Sequence, residues 1–270
     1  MRIAIITDVH GNKYALEAAL EDIEHQSVDQ IVFAGDTING APHSRECWDM
    51  AHSLQAVILQ GNNEHFIGNF KALQTQDPVL SSERFKSSRW CVSQFSTLEL
   101  EKMASLPITV QFPDLLVTHA TPRDVYENLT ADTTAEELRE KFAGWSENFI
   151  ARGHNHKWLE HHVDGRTITT VNACGGHDGV ATYSQYAIFT KTKIWTVEKR
   201  ILPYDFESLL ADMMHEEYLT GSGPLVRIYR HELITGQEHW MPFLRKYVSM
   251  VDAETLTLEA AVNQYLELES

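Results

Sequence analysis

The chain has 270 residues, of which 43% are hydrophobic and 22% charged, with 8 prolines and 14 glycines. This composition excludes a disordered or low-complexity protein, because such chains bury too little apolar surface to fold. Binding to a nucleic-acid duplex draws on clustered cations, so the net charge of −16 argues against that partner. No apolar run approaches the roughly 18 residues of a membrane span, and the N-terminus lacks a secretory signal pattern. We therefore expect a cytoplasmic protein with no membrane partner.

Short apolar runs alternate with helical patterns at the start of the chain. Residues 3–6 have the pattern of a buried strand, and residues 14–23 place apolar side chains on one stripe of a helix. A strand at 31–34, a helix at 44–54 and a strand at 56–59 follow. This βαβαβ order predicts a parallel sheet flanked by helices.

The later chain divides into three regions. Residues 66–104 lack a strand pattern and are predicted to form a helical insertion beside the sheet. Strands resume at 115–117, 149–151, 167–171 and 186–190, and again near 193–197. Helical spacing takes over after Pro203, so we divide the chain into a domain over 1–200 and a helical extension over 201–270. The apolar stripes of the extension indicate a packing surface, either on the core or on a partner subunit of a homo-oligomer.

Metal-competent side chains follow five of the predicted strands at their carboxyl ends. They are Asp8 and His10 after the first strand, Asp36 after the second, Asn62, Asn63 and Glu64 after the third, His119 after the fourth, and His154 and His156 after the fifth. Ligands of open α/β sheets bind at this edge. Oxygen and imidazole donors without thiolate suit divalent Mn, Fe, Zn or Ni.

Each of these patterns alone has an ordinary structural explanation. Asp8-Val-His10 on its own is more often a solvated turn, and Asp36 could cap a helix. Five strand ends acting together are instead a signature of a site. Gly61 and Gly153 precede predicted ligands, where we expect a residue without a side chain to let the backbone approach an ion. In extended backbone, side chains two apart, as in Asp8 and His10, would point to one side.

Together these motifs resemble the calcineurin-like metallophosphoesterase superfamily, and within it the small bacterial phosphoesterases. The family pattern of Asp-x-His, Gly-Asp, Gly-Asn, a lone His and Gly-His-x-His spans residues 1 to about 190 here. The resemblance implies an α/β fold, a four-layer αββα sandwich with two mixed β-sheets. It also implies two divalent metal ions (Mn, Fe, Zn, Ni or Mg, with Mn favoured). The implied ligands are Asp8, His10, Asp36 and His156 for one ion, and Asp36, Asn62, His119 and His154 for the other.

The chain departs from the family pattern at Asn63, where many members have a histidine that acts near the leaving oxygen. An amide donates a hydrogen bond to a phosphoryl oxygen but cannot deliver a proton. We therefore predict hydrolysis of phosphodiester or phosphoanhydride bonds in small, nucleotide-like substrates by a metal-bound hydroxide. Glu64, which loses its usual histidine partner, is predicted to support Asn63 or a ligand histidine.

Other polar residues are candidates for the missing acid and for phosphate binding. His177, in a glycine-rich turn, is our predicted acid, with His65 and His43 as alternatives, although unpaired histidines are mostly exposed or structural. Arg123 lies near His119 in the sequence and is predicted to bind substrate phosphate together with Asn63. An arginine in a Pro-Arg-Asp turn is, however, more often part of a surface ion pair.

Two other functions stay open at this point. One is a phosphomonoesterase, including a Ser/Thr protein phosphatase. The other is a metal-binding regulatory protein with little turnover, which Asn63 keeps open. The sequence has no GxxxxGK[ST] loop, HExxH helix or GxSxG turn, which argues against a P-loop NTPase, a zincin and a serine hydrolase.

Overall fold

The computed structural model of the chain describes residues 1–176 and 181–269. These ranges contain ten β-strands: β1 (Arg2–Ile6), β2 (Gln30–Phe33), β3 (Ala56–Ile58), β4 (Thr109–Phe112), β5 (Leu115–Thr118), β6 (Phe149–Arg152), β7 (Leu159–Val163), β8 (Arg166–Thr170), β9 (Tyr183–Lys191) and β10 (Trp195–Pro203).

The same ranges contain eleven α-helices: α1 (Lys13–Glu24), α2 (Ser44–Ser53), α3 (Asn62–Gln76), α4 (Lys86–Ser93), α5 (Thr97–Ala104), α6 (Ala135–Lys141), α7 (Phe206–Asp212), α8 (Glu216–Ser222), α9 (Val226–Thr235), α10 (Trp240–Asp252) and α11 (Leu258–Glu269). Two short 3₁₀ turns, Pro78–Ser81 and Glu83–Phe85, link α3 to α4. None of the helices in the described ranges has the length and apolar composition that crossing a bilayer requires.

The strands form two mixed sheets of five strands each. The first has the order β10-β9-β1-β2-β3, and the second β4-β5-β6-β8-β7. In the first sheet β1, β2 and β3 run parallel, while β9 and β10 pair antiparallel. In the second sheet β5, β6 and β8 run parallel, while the edge strands β4 and β7 pair antiparallel. The carboxyl ends of the parallel strands therefore lie at one edge of each sheet.

The two sheets face each other through alternating side chains of their strands. Ile3 and Ile5 of β1 pack with Val117 of β5 and Ala151 of β6 between the sheets. The opposite face of β1 packs on α1, whose apolar residues lie on one stripe because they recur at helical spacing. The outer face of the second sheet packs on α6 in the same way. The predicted four-layer αββα sandwich is thus confirmed.

Three elements were absent from the sequence prediction. β4 is an edge strand beside β5, β7 is an edge strand beside β8, and α6 is a helix of only seven residues. Polar residues interrupt β4 (TVQF) and β7 (LEHHV), so neither gives the continuous apolar run by which the buried strands were recognised, and α6 spans only about two helical turns. At the other end, β10 continues to Pro203, so the predicted division at residue 200 falls inside a strand and the helices begin at Phe206.

The helices after β10 pack on the rest of the chain. Leu209 of α7 and Tyr229 of α9 lie in one apolar cluster with Ala41 and Trp90. The Tyr218 hydroxyl donates a hydrogen bond to the Gly40 carbonyl. Asp212 accepts a hydrogen bond from the Tyr14 hydroxyl at 2.7 Å and lies 2.9 Å from Nε2 of His43. The extension is therefore tied to α1, to α4 and to the loop after β2.

Candidate metal centre

The predicted ligands converge where β1, β2, β5 and β6 end and α3 begins. One group surrounds the carboxylate of Asp8. Its Oδ1 atom lies 3.3 Å from Nε2 of His156 and 3.8 Å from Nε2 of His10. The two imidazole Nε2 atoms are 3.0 Å apart. Three side chains from two loops, which are far apart in the sequence, thus direct donor atoms at one point.

A second group lies beside the first, with Asp36 between them. Nε2 of His119 is 3.6 Å from Oδ1 of Asp36 and 2.9 Å from Oδ1 of Asn62. The ring of His154 lies 5.1 Å from that of His119, between centroids. Oδ2 of Asp36 is 3.8 Å from Nε2 of His10, which belongs to the first group. Judged by donor-atom distances, the two Asp–His clusters share Asp8. The bridging role of Asp36 and the ligand assignments therefore remain predictions.

Backbone carbonyls orient two of the histidines. Nδ1 of His10 lies 3.0 Å from the Asn39 carbonyl, and Nδ1 of His119 lies 2.8 Å from the Ala34 carbonyl. A carbonyl only accepts, so each ring donates through Nδ1 and directs its Nε2 atom toward the site. A neutral imidazole in this orientation is the form that binds a metal ion.

The Asp8 carboxylate provides a direct test of whether a cation fits. Its Oδ1 atom is completely buried and accepts no hydrogen bond from any described residue. Burial opposes its ionisation, but the imidazoles of His156, His119 and His10 together outweigh burial and hold the pKa of Asp8 well below its usual range. A buried, ionised oxygen without a hydrogen bond is costly, and a cation between it and the two imidazoles would satisfy all three groups. The donor set therefore fits a divalent ion.

His154 makes contacts through both its backbone amide and its imidazole ring. Its amide donates to Oδ2 of Asp8 at 2.9 Å, and its Nε2 lies 3.2 Å from the Tyr126 carbonyl. Burial and, to a smaller extent, the neighbouring His119 lower the pKa of His154 to about 4. The imidazole is therefore neutral at neutral pH.

Five predicted ligands adopt backbone conformations that side chains usually avoid. The φ angle is positive at Asp8, His10, Asp36, His154 and His156, with values between 50° and 70°. Our expectation of extended backbone in Asp-x-His and His-x-His is therefore wrong. The side chains converge because left-handed residues turn each loop sharply inward. Such strain tends to cluster at functional sites, where the surrounding structure maintains it.

Gly61 and Gly153 allow loops to approach each other, which differs from the predicted approach to an ion. A Cβ atom on Gly61 would lie 2.2 Å from Oδ1 of Asp36, and one on Gly153 would lie 1.9 Å from the Thr7 hydroxyl. Even a methyl group at either position would push apart two loops that carry ligands. The glycines are thus required by packing between the loops.

Asn63 contacts the central carboxylate directly. Its Nδ2 donates to Oδ2 of Asp36 at 2.6 Å, and its backbone N–H donates to Oδ1 at 2.8 Å. Its own Oδ1 accepts from Nδ2 of Asn39 at 2.6 Å. The amide therefore lies within the site, where its N–H group is available to a substrate only if it leaves Asp36.

Glu64 has a different role from the one expected. It is completely buried, and its carboxylate accepts hydrogen bonds from the backbone N–H groups of Asp36, Thr37 and Gly61 at 2.7–2.9 Å. It contacts neither the Asn63 side chain nor a ligand histidine in these bonds, so that expectation is corrected. Burial raises the pKa of Glu64 to about 7, and the nearby Asp36 adds to the shift. Glu64 fixes the loop that carries Asp36.

The other predicted residues have separate positions. Arg123 is exposed, and its Nη2 donates to the Ala143 carbonyl at 2.5 Å, so the structure does not support its predicted contact with phosphate. His43 is paired with Asp212 under α7, away from the ligand cluster. His65 lies beside the site, with Nδ1 2.8 Å from the Tyr126 hydroxyl. His177 lies outside the described residues, and its role as the acid stays a prediction.

Arg152 was missed by the sequence analysis. It is fully buried, and burial lowers its pKa to about 9. Its guanidinium donates to the Ala120 carbonyl at 2.6 Å, to the Glu127 carbonyl at 3.1 Å and to Oδ1 of Asn155. These partners adjoin His119, Tyr126 and the two histidines after β6. The sequence did contain a signal: a charged residue at the end of an apolar strand, directly before Gly153-His154.

A cavity of about 620 Å³ adjoins the ligand cluster. His10, Asn62, Asn63 and His156 line it on the side of the sheets. The 3₁₀ turn before α4 and the helices α9 and α10 line it on the other side. Its volume is within the about 300–1,000 Å³ typical of sites for small molecules. The residues after β10 therefore contribute to the surroundings of the site.

The fold and the cluster together define a class of protein: an αββα sandwich that gathers Asp and His side chains at one end for a metal ion. Residues 1–193 match the model of the calcineurin-like phosphoesterase superfamily domain. The chain belongs to this superfamily, and this membership together with the Asp–His cluster indicates a divalent metal centre and hydrolysis of phosphoesters.

Two solved structures share the fold over most of the chain. A metallophosphoesterase from Sphaerobacter thermophilus superposes with a TM-score of 0.70 and 25% identity, covering 88% of this chain and 99% of its own. Because this share exceeds the span of residues 1–193, the similarity includes part of the C-terminal helices. The hypothetical protein PH1004 from Pyrococcus horikoshii OT3 has a TM-score of 0.64 and 13% identity, with 82% of this chain and 98% of its own covered.

A curated relative matches a smaller part. The uncharacterized protein MJ0912 of Methanocaldococcus jannaschii is 24% identical over 136 residues, which are 48% of this chain and 54% of that protein. The match thus spans about half the length of the relative. It adds to the family relationship and says nothing about the substrate.

Proposed function

We propose that the protein hydrolyses phosphodiester or phosphoanhydride bonds of small, nucleotide-like substrates. The single observation that carries the proposal is Asn63, whose amide lies against Asp36 where many family members have a histidine. An amide cannot protonate a leaving oxygen, so the preferred leaving group is one that departs as a stable anion. Phosphate groups and acidic alcohols meet this condition.

The residues that would hold two ions, with manganese favoured, are Asp8, His10, Asp36 and His156 for one and Asp36, Asn62, His119 and His154 for the other. When bound, two such cations neutralise phosphoryl charge and lower the pKa of a water molecule toward neutrality. The chain itself orients His10 and His119 through backbone carbonyls and holds the Asp36 loop through Glu64. The Asn63 amide donates a hydrogen bond to a phosphoryl oxygen once substrate replaces Asp36 as its acceptor.

A phosphomonoesterase is the second candidate, and His65 is the observation that favours it. Its ring contacts the Tyr126 hydroxyl, which in turn lies 3.5 Å from the Asn62 carbonyl. An imidazole this near the site could serve as the proton donor that Asn63 cannot be. In that case His65→Ala lowers hydrolysis of alkyl monoesters and leaves aryl diesters unaffected.

The decisive experiment is a substrate panel on protein of known metal content. Bis-aryl phosphate, a nucleoside diphosphate, aryl phosphate and a phosphoserine peptide are assayed with Mn²⁺, for the wild type and for Asp36→Asn. We expect turnover of the diester and the anhydride, lost in the variant. Turnover of the phosphoserine peptide at a comparable rate would favour the monoesterase. Bound metal without turnover of any ester would indicate a regulatory protein.

A further inference from the structure

The cavity beside the ligand cluster has two chemically different sides. The side formed by the sheet edge carries imidazoles and amides, with His156 and Asn63 among them, and the charged Lys157. The 3₁₀ turn, α9 and α10 contribute the rings of Phe85, Tyr229 and Trp240. Phe66 of α3, one helical turn beyond Asn63, lies next to Phe85, and we call these four rings the aromatic wall. A substrate in this cavity therefore meets polar groups at one side and ring faces or edges at the other.

The aromatic wall is built before any substrate arrives. Glu232 is buried, and its carboxylate accepts the backbone N–H groups of His239 and Trp240, both at 2.9 Å. These two bonds fix the backbone at the start of α10, where Trp240 is the first residue. Phe66 packs edge-on against Phe70, with 5.3 Å between centroids, and also contacts Phe85. A preformed wall lowers the cost of ordering side chains on binding.

The charges on this wall do not suit a phosphate chain. Arg84 lines the cavity, but its Nη1 is paired with the Asp252 carboxylate at 2.6 Å. The wall also carries the carboxylates of Glu232 and Glu238. Among the described lining residues of this wall, negative groups thus offset the single cation. A second phosphate would be repelled there, whereas a neutral planar group would be accepted.

We propose that the aromatic wall binds the base of a nucleotide whose phosphate lies at the His10 and His156 side of the cavity. The inference rests on the proposed function and adds the part of the substrate that is recognised. Stacking of a base on an aromatic side chain tolerates any base, because every base has a π-face. The carboxylates of the wall accept hydrogen bonds from amino or hydroxyl groups of the nucleoside.

Binding measurements separate base from phosphate. The affinities of AMP, ribose 5-phosphate and inorganic phosphate for the full-length, Mn²⁺-loaded protein are measured by calorimetry. We expect AMP to bind about tenfold or more tightly than ribose 5-phosphate, which is the effect of one stacked base. Trp240→Leu should bring this ratio close to one, while Trp240→Phe should keep most of it. Met250→Leu, on the same helix but outside the cavity lining, is the matched control and should leave the ratio unchanged.

Phe85→Leu is the second variant if Trp240→Leu does not fold, and it should lower the ratio in the same direction. An equal affinity of the wild type for AMP and ribose 5-phosphate would overturn the role of the wall. So would an unchanged ratio in folded Trp240→Leu. In either case, hydrolysis of bis-aryl phosphate by the same samples would leave the proposed function standing. Binding of no phosphate compound, with no hydrolysis, would overturn both.

Discussion

The side-chain amide of Asn63 lies 2.6 Å from Oδ2 of Asp36, the carboxylate between the two groups of predicted ligands. The contact puts a hydrogen-bond donor at the centre of the site, but an amide N–H is too weak an acid to protonate a leaving group. The leaving group must therefore depart without help from this residue, unless a histidine elsewhere supplies the proton.

Asn63→His is expected to widen the range of substrates. General acid catalysis contributes about 10²–10⁴-fold, and part of this should appear with monoesters of poor leaving groups. Aryl diesters gain little, because their leaving groups need no proton. The measurement is kcat/KM on an alkyl and an aryl phosphoester series for wild type and variant, at matched metal content. Equal changes on both series would contradict the proposed role of Asn63.

Divalent metal is expected to stabilise the folded chain. Mn²⁺ at 100 times its Kd should add about 2.7 kcal/mol to the free energy of unfolding, because only the folded chain brings the ligands together. Thermal melts with and without Mn²⁺ measure the effect. Asp8→Asn should reduce it strongly, since Oδ1 of Asp8 has no hydrogen bond from any described residue. The matched control is Asp164→Asn, an exposed carboxylate paired with Arg139, which should retain the full shift.

Arg152 is expected to act on the metal site through the loops it holds. Arg152→Met keeps much of the volume but leaves the Ala120 and Glu127 carbonyls without their donor. Groups that position ligands typically change metal affinity by about 10–100-fold, and we expect a loss in this range. Arg166→Met is the control, because Arg166 also donates to carbonyls, those of Phe142 and Trp145, on the far side of the second sheet.

Metal affinity is measured by titration of the metal-free protein, and unfolding in urea is measured alongside it. A loss of stability in Arg152→Met without a loss of metal affinity would show that Arg152 only supports the fold. A comparable loss of affinity in Arg166→Met would show that the effect is general rather than specific to the loops of the site.

Low pH is expected to weaken the hydrogen bonds by which Asp22 of α1 contacts Tyr186 of β9 and Arg200 of β10. Asp22 is partly buried, which opposes ionisation, but hydrogen bonds from Arg200 at 2.7 and 2.9 Å and from Tyr186 at 2.6 Å outweigh this and lower its pKa. A lowered pKa means that the stabilisation is complete above the ordinary aspartate pKa of 3.8 and is lost as the pH falls through the lower pKa of the folded state. Asp22→Asn should therefore cost about 1 kcal/mol at pH 7 and less near pH 2. Urea unfolding at both values tests this, and a cost independent of pH would contradict it.

The parallel strands and the positions of the predicted ligands could be read from the sequence. Buried strands give continuous apolar runs, and the polar residue that ends each run marks the edge of the sheet. Asp8, Asp36 and His119 were identified in this way, because each follows the end of a predicted buried strand. The helices that pack through one stripe, such as α1, were found by their spacing.

The remaining features depend on contacts between distant residues. The left-handed backbone at Asp36 and His154 has no local signature, because neither residue is a glycine. The sequence around Glu64 does not show whether its carboxylate binds a side chain or, as in the structure, three backbone N–H groups. β4 and β7 form because a neighbouring strand offers hydrogen bonds. Their own residues, which mix polar and apolar side chains, do not give the apolar run of a buried strand. The cavity likewise requires α10 to return to the sheet edge.

The hydrogen bond from Tyr218 to Gly40 connects α8 to a loop that matters for His10. Gly40 follows Asn39, whose carbonyl orients the His10 ring. A shortened chain that stops at residue 193, the limit of the family match, would lose this restraint together with Tyr229 and Trp240 of the aromatic wall. Such a truncation would not yield a minimal phosphoesterase with a broader choice of substrates. The loop whose Asn39 carbonyl orients the His10 ring would lose its hydrogen bond from α8.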